Sequence, residues 1–175
     1  FTTLAHEGFP GHLYQNVFAN TSGLPSVRQL LNYSGYTEGW ATYVEMISYQ
    51  YAGLDKDLAK VLQLNQSILL SLYASMGIHY QGWDASDVKN FLSDYGISNA
   101  SAANDTYEYI LGEPANYLKY YIGYLKFLDL QKYAKKALSE NYTDRAFHEA
   151  VLRIGPAPFD IIKKYLLDYI PKSGK

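Results

Sequence analysis

The chain contains no cysteine, so disulfides and thiolate metal ligation are both excluded. Any transition-metal site must be built from imidazole nitrogens and carboxylates, and only four histidines are present to supply the former. An excess of either charge is also missing. Its 15 basic and 17 acidic residues are scattered and leave a net charge of -2, so no basic stripe exists to neutralise phosphates, which argues against nucleic acid as a partner. No apolar run approaches the roughly 20 residues that span a bilayer, so this segment is not expected to insert into a membrane. The chain starts at Phe1 and runs straight into His6, and is therefore expected to be a piece of a longer protein, with its cellular location unknown.

Apolar and aromatic residues instead recur at three- and four-residue spacing, without the alternating stretches of strands. The expected fold is all-α: a single multi-helix domain over residues 1–175. Trp40, Tyr43, Val44 and Ile47 mark a helix from Thr37 to about Gln50. Gly53 breaks it before a second helix that follows Asp55 through Leu58, Val61, Leu62, Ile68, Leu69 and Leu72. Asp84 and Asp87 look like the cap of a helix carrying Val88, Phe91 and Leu92 and closing at Gly96. After an Asn/Ala/Ser stretch at 98–104, Pro114 is expected to open the longest helix, with Tyr117, Tyr120, Tyr121, Tyr124, Phe127 and Leu128 on one face. Thr143 caps a helix carrying Phe147, Val151 and Leu152, and Gly155 ends it. Pro156-Ala157-Pro158 leads to a last helix ending near Pro171.

The segment His6-Glu7-Gly8-Phe9-Pro10-Gly11-His12, followed by Glu38, has the parts of a zinc hydrolase: two imidazoles, a carboxylate beside the first, and a further carboxylate downstream. In an HExxH helix the two histidines stand four apart on one face. Here they stand six apart, which at roughly 100° per residue puts them about 240° out of line on a straight helix. Pro10 cannot donate to the His6 carbonyl and Gly11 tolerates unusual backbone, so a doubled π-type bulge in a kinked helix is expected to bring His12 back over His6. Glu45, two helical turns after Glu38, is placed either to orient a ligand histidine or to stand as a solvated helix carboxylate.

The blocks His6-Glu7-x-x-Pro10-Gly11-His12-x-x-Gln15 and Glu38-Gly39-Trp40-Ala41-x-Tyr43-x-Glu45 resemble the bacterial domain-of-unknown-function 885 family, whose members resemble helical zinc metallopeptidases of the gluzincin kind. Further blocks are Gly77-Ile78-His79-x-x-Gly82-Trp83, then Pro114-Ala115-Asn116 with Tyr120, Gly123 and Leu125, then Phe147-His148 with Leu152, Gly155 and Pro158. The resemblance implies zinc (Zn2+) held by His6, His12 and Glu38, with Glu7 as general base. It also implies a helical catalytic C-terminal half of a larger gluzincin-like fold, whose N-terminal partner half is missing here, and a peptide or small amide as substrate. It suggests His79 and Tyr120 as donors to an oxyanion, beside the plainer readings of His79 as a helix cap and Tyr120 as a core residue.

Two departures stand out. Ser71 and Ser75 replace the Arg and Asp that usually precede Gly-Ile-His, and Pro114-Ala115-Asn116 replaces Pro-Gly-Gln. Two other functions fit the same residues: a non-catalytic binding module lined by some of the 19 Tyr and two Trp, and an inactive fragment that keeps the metal ligands.

Overall fold

The computed structural model describes residues 1–53 and 69–170, and among them all regular structure is helical. The chain divides into two compact units, one formed by Phe1–Ser48 with Ile122–Lys175 and the other by Tyr49–Tyr121, where the sequence was read as one domain. Among the described residues, no helix is long and apolar enough to cross a membrane.

The first unit begins with α1 (Thr2–Glu7), α2 (His12–Thr21) and the short α3 (Ser26–Gln29). α4 spans Ser34–Tyr51, three residues earlier than the apolar stripe alone placed it, and Gly53 follows with a positive φ of 67°. Later come α8 (Leu118–Leu138), which belongs to this unit from Ile122 on, α9 (Asp144–Ile154) and α10 (Phe159–Tyr169). Their core is one aromatic-rich cluster in which Tyr36, Trp40, Tyr43 and Val44 of α4 meet Phe127 and Leu130 of α8, Phe147 and Val151 of α9, and Ile162 and Leu166 of α10. α4 and α8 approach closely because both carry glycine at the contact. A Cβ on Gly39 would stand 2.6 Å from the Gly123 backbone. Thr143 accepts a hydrogen bond from the Ala146 amide to start α9, and Arg28 donates to the Ile154 and Pro156 carbonyls at its far end.

The second unit contains α5 (Leu69–Met76), running into a π-helical turn at Gly77–Gln81, then α6 (Ala85–Asp94) and α7 (Ala100–Gly112). Leu70, Ala74, Ile78, Val88, Leu92, Ala103 and Ile110 form its core. Asp84 and Asp87 make the expected capping box, and Gly96 takes the left-handed conformation after α6. The expected helix after Asp55 lies outside the described residues up to Ile68.

The Asn/Ala/Ser stretch, to which the sequence assigned no element, enters α7: Asn99 accepts from the amides of Ser101 and Ala102 and caps its first turn. One expectation is corrected. Pro114 does not open the longest helix, which starts at Leu118. Ala115 sits at φ 62°, a left-handed conformation from which a right-handed helix cannot run on, so residues 113–117 form turns instead.

Candidate metal centre

α1 ends at Glu7 and α2 starts at His12, so the two histidines belong to different helices. The expected doubled π bulge is replaced by a complete break, because residues 8–11 form a tight turn with a cis Phe9-Pro10 peptide. The turn folds the chain back on itself until the Gly11 Cα lies against the His6 carbonyl, where no side chain fits. The outcome matches what the bulge was meant to achieve. The imidazoles of His6 and His12 meet edge to face with centroids 4.9 Å apart.

Glu38, in the second turn of α4, completes the group. Its Oε2 lies 3.2 Å from Nε2 of His12 and 3.7 Å from Nε2 of His6. One ligand atom from each of the three residues falls within a 4.8 Å span, and all three side chains are half-buried. Two imidazole nitrogens and one carboxylate oxygen, with no thiolate, form a donor set that suits zinc in a site with an open position. Among the described residues this is the one group of three or more such side chains that could hold an ion.

α4 contributes more than Glu38. Trp40, almost fully buried, donates its indole N–H to the Pro10 carbonyl at 3.1 Å and so holds the turn between the two histidines. Glu45 places Oε2 3.1 Å from Nδ1 of His6. Burial opposes the charged form of His6, but hydrogen bonds to Glu38 and Glu45 and the charges of Glu45 and Glu7 outweigh it and raise the imidazole to about 9. Three carboxylates thus favour positive charge at this spot. Glu7 itself is exposed to solvent.

Behind Trp40 lies a polar network that the sequence reading did not anticipate. Tyr43 Oη is 2.9 Å from Nε2 of His148 and accepts from the Gln131 amide at 3.0 Å. The same amide donates to Asp144, which also accepts from the Tyr142 hydroxyl at 2.6 Å. Burial, with Lys135 adding to it and Asp144 opposing, holds His148 below its ordinary value. Pairing Tyr43 with His148 spans 105 residues, and no local pattern signals it.

The other two expected site residues lie in the second unit. His79, inside the π-helical turn, donates through Nε2 to the Ile110 carbonyl at 2.8 Å and so joins that turn to the end of α7. Tyr120 is half-buried, with the Lys119 ammonium 5.2 Å from its ring centroid. Of the two serines that depart from the family pattern, Ser75 is buried and Ser71 half-buried on α5.

Comparison with known proteins adds two solved relatives. A candidate lipoprotein from Colwellia psychrerythraea has a TM-score of 0.84 at 27% identity, over 97% of this chain and 30% of that one. A candidate lipoprotein of unknown function from Shewanella oneidensis has a TM-score of 0.83 at 23% identity, over 95% of this chain and 31% of that one, a likeness of fold alone. The chain thus spans less than a third of the length of either relative. No curated protein matches it. The model of the family described as bacterial protein of unknown function (DUF885) matches residues 1–166, nearly the whole sequence, and the chain therefore belongs to that family.

Proposed function

We propose that this chain carries the metal centre of a zinc-dependent hydrolase of peptide or amide bonds. The observation that supports the reading is the convergence of His6, His12 and Glu38, from three separate helices, on one point at the edge of the first unit. Surface histidines without a role have no reason to be gathered by a turn that needs glycine at one end and an indole clamp over the middle.

In this reading His6 and His12 present Nε2, and Glu38 presents a carboxylate oxygen, to the ion. Bound zinc supplies a Lewis acid that polarises the scissile carbonyl and makes water more acidic. Glu7, adjacent to His6 and open to solvent, takes a proton from the attacking water on its carboxylate. The water oxygen bonds to the carbonyl carbon, the carbon–nitrogen bond breaks, and Glu7 returns the proton to the departing amine.

The test is zinc titration of the purified chain beside His12→Ala and Glu38→Ala. The expected result is tight binding of one equivalent by the wild type and a large loss in each variant. A wild type that binds zinc no better than His12→Ala would overturn the proposal.

A further inference from the structure

We infer that Glu45 is a positioning residue that fixes the tautomer and ring plane of His6, so that Nε2 is the nitrogen turned toward Glu38 and His12; the inference rests on the metal-centre reading above. The His6 ring stands between two carboxylates of one helix. Its Nδ1 is 3.1 Å from Glu45 Oε2 and its Nε2 is 3.7 Å from Glu38 Oε2. Glu38 and Glu45 are seven residues apart on α4, about 10.5 Å along the helix axis, which leaves room for an imidazole to lie lengthwise between them.

An ionised carboxylate can only accept, so the nitrogen facing Glu45 is the one that carries the hydrogen. In a neutral imidazole the other nitrogen then holds the lone pair. That nitrogen is Nε2, which is on the side of His12 and Glu38. The tautomer that a cation needs is therefore selected from behind: when the ring is neutral, Nε2 is the nitrogen left without hydrogen.

Burial separates this role from that of an ordinary helix carboxylate. Glu45 is 6% exposed, and a carboxylate withdrawn from water to that extent needs donors within the protein. The bond reaches Nδ1 of the His6 ring, and the pairing joins residues 39 apart in sequence.

The test uses competition with a chromophoric zinc chelator on the wild-type chain, Glu45→Ala and Glu45→Gln, together with nitrogen-15 NMR of the His6 ring. Glu45→Ala should bind zinc about 10–100-fold more weakly, the usual effect of losing a group that orients a ligand histidine. Glu45→Gln keeps an oxygen that accepts from Nδ1 and should recover most of that loss. The neutral wild-type ring should show hydrogen on Nδ1 and none on Nε2. Zinc affinity in Glu45→Ala equal to that of the wild type overturns the inference and leaves the metal reading standing; a wild type that binds no zinc overturns both. Should Glu45→Ala fail to fold, hydrogen on Nε2 in the neutral wild-type ring, or a Glu45→Gln as weak as a ligand deletion, overturns it.

Discussion

The Cα of Gly11 rests on the carbonyl of His6, so that the backbone between the two histidines closes on itself with no space for a methyl group. The carbonyl of Ala5 hems in the same position, with a would-be Cβ 2.5 Å from its oxygen. Gly11→Ala must push two stretches of main chain apart. It is expected to destabilise the fold by about 1–3 kcal/mol, as overpacked sites do, and to lower zinc affinity together with stability. Urea unfolding and chelator competition on the same variant would check this; a Gly11→Ala chain with wild-type values in both would show that the turn is not constrained.

Trp40 acts on the same turn from the opposite side. Trp40→Phe keeps an aromatic ring in the core but removes the N–H that reaches the Pro10 carbonyl. The expected loss is about 1–3 kcal/mol for leaving a half-buried acceptor without its donor, with weaker zinc binding even though no ligand has changed. Unfolding midpoints and zinc affinity measured in parallel test it, and loss of stability with unaltered affinity would limit Trp40 to packing.

Glu7→Gln preserves size and removes the base. Zinc content should be unchanged, while cleavage of a peptide library by the parent protein should fall by about 10²–10⁴-fold. Intact turnover in this variant would show that another group takes the proton.

Ala115 stands at φ 62°, a left-handed conformation that favours glycine. A left-handed alanine costs about 1–2 kcal/mol, of which the greater freedom of glycine in the unfolded chain cancels about 0.4–1 kcal/mol. Ala115→Gly should therefore stabilise the chain by roughly 0.5–1 kcal/mol, read as a higher urea midpoint at an unchanged slope. A lower midpoint would contradict the strain.

His148 gives stability a pH dependence. Burial holds its folded value below the ordinary 6.5, with Lys135 adding to the effect and Asp144 opposing it, so on acidification the unfolded chain takes up a proton that the folded one refuses. Its contribution is complete above pH 6.5 and is lost as pH falls from there through the folded value. Replacing it in His148→Gln should flatten the fall in stability between about pH 7 and 5. Equal slopes in the two proteins would mean that His148 titrates as it does in water.

The helical class, the caps at Asp84 and Thr143 and the break near Gly53 were legible because each depends on residues within a turn of one another. The grouping of His6, His12 and Glu38 was legible too, through residue type and through the resembling blocks. What brings them together was not. From Pro10 and Gly11 a distortion was expected, but the same pair can loop residues out of a continuous helix or end it, and the choice depends on contacts with Trp40, thirty residues on. Asn99 and Ala115 show the same limit at smaller scale. One cap starts α7 in a stretch to which the sequence assigned no element, and one left-handed residue moved the start of α8 past Pro114. The Tyr43–His148 network is wholly tertiary and left no trace in spacing.

Because α1 and α2 are separate helices joined by a short hairpin of backbone, the gap between their imidazoles is not dictated by helical pitch. In an unbroken helix the spacing of two imidazoles is as fixed as the rise per turn; here it is set by the backbone of residues 8–11. If the proposed site holds an ion, edits at residues 8–11 would retune which ion fits, with His6, His12 and Glu38 left in place.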